Sequence, residues 1–137
     1  MIKAPNFRIM AVLLLAPAGF VAAHHGTAGF YDEHKKVKVE GVVKEFHWRN
    51  PHSGLFVVGK DSNGNEGTFA LEMGSPSSLA RAGYTRRTVK PGDKVVAEVR
   101  PAFSNPLACE LISSDLWVNG KRVSTLISDQ GKAKGEE

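Results

Sequence analysis

The chain has 137 residues, 42% of them hydrophobic, with 18 Lys and Arg against 14 Asp and Glu for a formal net charge of +4. Such a length holds one small domain around one core, and the charge excess is too small to argue for nucleic-acid binding. A single cysteine, Cys109, excludes an internal disulfide, so the fold has to be held by its core.

The first 23 residues have the pattern of a cleaved signal peptide. Lys3 and Arg8 form a positive start, Ile9 to Leu15 an apolar run, and Pro17 and Gly19 break it before the small residues Ala22 and Ala23. The apolar stretch is shorter than the ~20 residues a membrane span needs, and no second run follows. The expectation is export to the periplasm, cleavage after Ala23 or alternatively after Ala22, and no membrane span afterwards. Of 18 basic residues, the leader removes Lys3 and Arg8, and 16 against 14 acidic residues leaves +2 on the mature chain.

Residues 24–36 read as an N-terminal arm without clear periodicity, which Phe30 and Tyr31 are placed to pin to the domain. The domain itself is expected over residues 37–127. In "VKVEGVVKEFHW", Val37, Val39, Gly41 and Val43 share one face while Lys38 and Glu40 share the other, the period of a long half-buried strand. Gly41 inside it predicts a bulge or sharp bend. After "RNPHSG", Leu55 to Val58 is a second strand, "DSNGN" at 61–65 a hairpin turn, and Thr68 to Met73 a third strand.

Ser75 then caps a short helix with Pro76 at its first position, Leu79, Ala80 and Ala82 within it and Gly83 at its stop. Lys90-Pro91-Gly92-Asp93 is a turn, "KVVAEVR" a fourth strand and "ACELISSDLWV" a fifth, in which Cys109 reads as a small buried hydrophobe. Asn119-Gly120 is a turn before a last short strand, "KRVST". Residues 128–137, polar and charged, form a tail unable to bury enough to order itself. Three strands, one helix and two strands is the order of a five-stranded OB-like Greek-key barrel.

The ordered combination of His24-His25, the G-x-V strand at Gly41, Trp48-Arg49-Asn50-Pro51-His52, the G-S-P-x-x-L segment from Gly74 and the K-P-G-D turn resembles a group of small bacterial exported proteins of unknown function. The resemblance covers about residues 22–123. It implies a periplasmic OB-like barrel and supplies no activity. The chain departs from the group's pattern at Gly26, where a serine is frequent.

All five histidines lie between residues 24 and 52. A mature chain beginning at His24 offers one metal ion both an α-amine and an imidazole, and nitrogen ligands favour Cu(II). If cleavage follows Ala22, His25 becomes the third residue and an amine, two amides and an imidazole are available instead. His52 is the first choice for a co-ligand from the barrel, because Asn50 before Pro51 is biased to extended backbone and fixes the corner. His47 is second, with Trp48 on the opposite face, and His34 reads as solvated.

The competing reading gives these histidines a structural role and makes the barrel a metal-free binding module for a small anionic ligand, a glycan or a partner protein. Its surface would be bordered by Trp48, Phe56 and Phe69 with the basic group Arg81, Arg86 and Arg87, whereas in the copper reading Trp48, Asn50 and Pro51 support the ligands from behind. Burial of both phenylalanine rings in the core would argue against that surface. No G-x-S-x-G, H-E-x-x-H or phosphate loop is present, so the chain reads as a non-enzyme. A copper-dependent oxidoreductase built on His24 is the remaining catalytic alternative. The carboxylate pairs Asp32/Glu33 and Glu66/Glu72 read as a solvated loop and as two residues spanning a strand.

Overall fold

A computed structural model describes residues 29–124; the expected signal peptide, His24, His25 and the expected tail over residues 128–137 lie outside the described residues. Six strands and one helix follow in the order β1 (Val37–His47), β2 (Gly54–Asp61), β3 (Glu66–Glu72), α1 (Pro76–Arg81), β4 (Lys94–Pro101), β5 (Ala108–Val118) and β6 (Lys121–Arg122). β1 pairs antiparallel with β2 on one side and β4 on the other, β2 with β3, and β4 with β5. Parallel pairing of Ala70–Glu72 with Ala108–Glu110 joins β3 to β5 and closes the five-stranded barrel. This is the OB-like Greek-key order, with the helix between β3 and β4.

Alternation puts Val37, Val39, Val43, Leu55, Val57, Phe69, Leu71, Val95, Ala97 and Val99 inside, each at most 5% exposed. Leu79 on α1, with Met73, Tyr84 and Val89 around it in sequence, belongs to the same core. Cys109 is buried, its thiol donates to the Pro106 carbonyl at 3.3 Å, and burial, helped by the charge of Asp61, pushes its pKa up to about 12.

The turn and cap chemistry follows the local sequence. Ser75 Oγ accepts from Ser78 N–H at 3.2 Å, and Gly83 takes the positive φ that ends α1. Lys90 N–H donates to Asp93 Oδ2 at 2.8 Å across the turn before β4. Among the described residues, no helix is long and apolar enough to cross a membrane.

Three expectations are corrected. The register break of β1 falls between Val43 and Glu45 rather than at Gly41, which pairs with Gly59 in regular register. The reason for Gly41 is close approach: a Cβ there would run into the Val58 carbonyl, and one on Gly59 into the Glu40 carbonyl. The last strand stops at Arg122, and Val123 and Ser124 already have helical backbone. Of the two rings offered as borders of a binding surface, Phe69 is fully buried in the core, while Phe56 points outward and is half-buried because it alternates with the buried Leu55 and Val57.

Candidate functional site

β2 and β3 pair so that Gly54 faces Glu72, and Phe56 faces Ala70, on the outside of the barrel. The pairing continues into the β1–β2 loop: Ser53 N–H donates to the Gly74 carbonyl at 3.0 Å, and Met73 N–H donates to the Ser53 carbonyl at 2.9 Å. His52 therefore leaves the loop on the same face as Gly54 and Phe56. The bond between Asn50 and Pro51 is cis.

His52 Nδ1 lies 2.6 Å from Glu72 Oε1, the geometry of an N–H donated to a carboxylate. The other oxygen, Oε2, accepts the Tyr31 hydroxyl at 2.7 Å. Tyr31 reaches this point because the arm runs along the end of β4. Tyr31 bridges to Ala102, Asp32 N–H donates to the Pro101 carbonyl at 2.9 Å, and Phe103 N–H donates to the Phe30 carbonyl at 3.2 Å. Burial, then the hydrogen bond to Glu72, raises the Tyr31 pKa well above its ordinary value, so the phenol stays a donor.

These side chains border a groove of about 600 Å³ lined by apolar surface from Phe30, Pro51, Phe56 and Leu71 and by the polar groups of Arg49, Asn50, His52 and Glu72. It lies on the β2–β3 face between the β1–β2 loop and the arm, the face on which OB barrels take ligands. A second hollow, of about 490 Å³, lies toward α1 and shares His52 and Glu72, so this pair forms the ridge between them.

The other residues singled out by sequence separate. His47 is tied to its own strand, with Nε2 2.7 Å from Glu45 Oε2 and its ring 4.8 Å from that of Phe56. Trp48 does turn to the opposite face, where it packs edge-on against Phe46 at 5.9 Å and supports the core. Arg81 and Arg87 are exposed, and Arg86 extends 3.5 Å from the Trp48 carbonyl; none of the three lines the groove. His34 is exposed, with only its backbone N–H bonded, to Asp32 Oδ1 at 3.1 Å.

Among the described residues, no group of three or more His, Cys, Asp or Glu is placed to hold a metal ion. A metal centre at His52 therefore depends on ligands from outside them. His52 is nevertheless arranged as metal-ligating histidines are, with Nδ1 fixed by a carboxylate and Nε2 left over.

Glu72 and Tyr31 are the residues that sequence reasoning passed over as site components. The signal for Glu72 was the "DSNGN" turn: centred on Asn63, it sets the register that brings Glu72 opposite Gly54, two residues from His52. Tyr31 carries no comparable signal, because its partner comes from an arm-to-barrel contact 41 residues distant in sequence.

The model of DUF6152, described as a family of unknown function, matches residues 12–107. No curated protein and no solved structure matches the chain.

Proposed function

The chain belongs to the DUF6152 family, whose function is unknown, and from that premise we propose that it is an exported, periplasmic, non-enzymatic binding module that takes its ligand in the β2–β3 groove. The observation that carries this reading is the groove itself, an apolar floor with convergent polar groups on the outer β2–β3 face of the barrel. Export is supported by the pattern of residues 1–23, and the non-enzymatic role by the missing nucleophile or phosphate-loop motifs.

The test is chemical-shift mapping of the mature protein with a set of small aromatic, amine, carboxylate and polyol fragments. Shifts should gather on Phe30, Tyr31, His52, Phe56 and Glu72. Shifts scattered over the whole surface would remove the groove reading.

A second reading is favoured by one specific observation, the His52–Glu72–Tyr31 chain of contacts that leaves the Nε2 of His52 for a ligand. In this reading the site holds Cu(II), with His24 and His25 of the mature terminus as the other ligands. The chain is pinned at Tyr31, and seven residues of extended backbone cover at most ~25 Å, so His24 is tethered within that distance of the pinning point. His47 is the weaker candidate, because its Nε2 is already committed to Glu45.

Cu(II) titration of protein exported through its own signal, with and without an added N-terminal methionine, tests this. His24→Ala should abolish tight binding, His52→Ala should weaken it and His34→Ala should leave it unchanged. Affinity should also fall on acidification, since an α-amine that titrates near ~7.7 to 8 must lose its proton to ligate. Weak binding indifferent to the added methionine would remove the copper reading.

A further inference from the structure

We propose that the groove takes a neutral, linear oligosaccharide; the inference rests on the groove being the binding site and names the ligand class. Three features of the surface select that class.

The first is an aromatic surface that runs on past the cavity. Phe30, 56% exposed, lines the groove, and Phe103, 67% exposed, lies beside it through the backbone bond between the two residues. Phe56 stands further along, on the β2 side. Large aromatic rings left this open in a small domain mark a contact surface. Their faces suit the C–H faces of pyranose rings, and their spread across arm, strand β2 and the β4–β5 loop suits a chain of sugars over a single one. The β2–β3 face and these loops are where OB barrels hold oligosaccharides and oligonucleotides.

The second feature is a rim of mixed donors and acceptors. Arg49 and the Asn50 amide donate, the Asn50 carbonyl oxygen and the Glu72 carboxylate accept, and His52 has Nε2 unused beyond its bond to Glu72. A hydroxyl group both donates and accepts, so a polyol can use the whole set. A ligand that only accepts cannot.

The third feature is charge, which decides between the two chain ligands that an aromatic OB face can take. The Glu72 carboxylate on the groove wall is matched by one cation of the lining, Arg49, and Glu110, the register partner of Glu72 on β5, lies outside the lining and is paired with Arg100 at 3.0 Å. A nucleic acid needs several basic contacts for its phosphates, and here the single cation Arg49 is offset by the Glu72 carboxylate, which repels them. The same repulsion acts against an acidic polysaccharide. A neutral sugar chain avoids that repulsion.

The experiment is a chemical-shift titration of the mature protein with three neutral hexasaccharides, cellohexaose, chitohexaose and maltohexaose. Hexagalacturonate serves as the acidic counterpart and a proline-rich decapeptide as the peptide counterpart. At least one neutral sugar should give saturable shifts at Phe30, His52, Phe56 and Phe103, with hexagalacturonate and the peptide weaker. Replacing both exposed rings, Phe30→Ala with Phe103→Ala, should weaken that binding about tenfold or more, as truncated anchor residues do. Unmoved core amides would show that the double variant is folded.

If none of the three sugars shifts the groove while the fragments above still do, the oligosaccharide inference fails and the groove reading stands. If the fragments fail as well, both fall. Tighter binding of the peptide or of hexagalacturonate would also overturn the inference, as would sugar binding that the double variant leaves unchanged.

Discussion

The two ends of β2 solve the same problem, a chain reversal beside a strand, in opposite ways. At the Asp61 end the polar groups consume one another. Asp61 Oδ1 accepts from the backbone N–H of Asn63 and of Asn65, both at 2.9 Å, and Oδ2 accepts from the Asn65 amide at 2.8 Å. At the His52 end polar capacity is left over: Ser53 Oγ is enclosed without a partner, and His52 uses one nitrogen on Glu72 and keeps the other. Buried polar groups are normally paired, so a turn that satisfies itself reads as scaffold, while one that does not marks where something else can bind. The aromatic ring of β2 follows the same division, with Phe56 near the loop and none among Val57, Val58, Gly59, Lys60 and Asp61 toward the turn.

The largest effect expected from breaking this division lies in the scaffold half, at Gly59. Its backbone packs against Gly41 so closely that a Cβ would enter the space of the Glu40 carbonyl and the Gly41 Cα, both of them main-chain atoms. Gly59→Ala should cost about 3 kcal/mol, the upper end of ordinary overpacking, read as a lowered urea midpoint. The fragments that shift groove residues in the parent protein should still do so in the folded fraction. Loss of less than about 1 kcal/mol would mean that the two strands can separate there without consequence.

Asp61→Ala should be next, at about 2 to 3 kcal/mol, since it strips three donors of a charged acceptor. Burial alone would raise this carboxyl, but the bonds from the Asn65 side chain and from the backbone of residues 65, 63 and 64 outweigh it, and its pKa ends below the ordinary 3.8. A depressed folded value means that the stabilisation is fully present above the unfolded value and fades as pH falls through the folded one. The gap in stability between parent and Asp61→Ala should therefore hold near neutrality and narrow below about pH 3.8. Melting curves across that range check the sign; a gap that widens on acidification would contradict it.

The same division explains what could be read from the residues alone. β1 and β4 were legible because alternation of residues such as Val37, Val39 and Val43 with Lys38 and Glu40 needs no tertiary information, and the turns carry local chemistry in Asp61, Asn63, Gly64, Gly92 and Asn119. The helix was legible from Ser75, Pro76 and Gly83 for the same reason. The face of Phe56 was not, since Leu55 to Val58 is an unbroken apolar run in which either parity is possible, and only pairing with β3 decides it. The groove was half legible: Asn50, Pro51 and His52 were candidates by local chemistry. Glu72, Tyr31 and the closure of β3 on β5 depend on contacts between distant segments. Arg81, Arg86 and Arg87 were named for charge alone, and charge does not say which way a loop faces.

The smallest of these effects belongs to the groove half, where Glu72→Gln keeps the shape and removes the charge. Glutamine has one acceptor oxygen, so it can keep the Tyr31 hydroxyl as a donor only if its amide donates to His52 Nδ1, which requires the other imidazole tautomer. The partners are partly exposed, and the loss should be about 1 kcal/mol or less, near what one hydrogen bond contributes. The sharper readout is the Tyr31 phenol. Burial, the bond to Glu72 and the charge of Glu72 raise its pKa, with Glu110 and Cys109 adding to them, so removing the Glu72 charge should move its titration down toward the ordinary 10.0 without reaching it. In the parent, a phenol with a raised folded value contributes stability that is complete below the unfolded value of 10.0 and is lost as pH climbs through the higher folded one. Glu72→Gln should soften that alkaline loss. Phenolate absorbance followed against pH in the two proteins measures it, and an unchanged Tyr31 titration would mean that the arm is held to the barrel by packing and its backbone bonds to Pro101 and Phe103, with Glu72 free to serve a ligand.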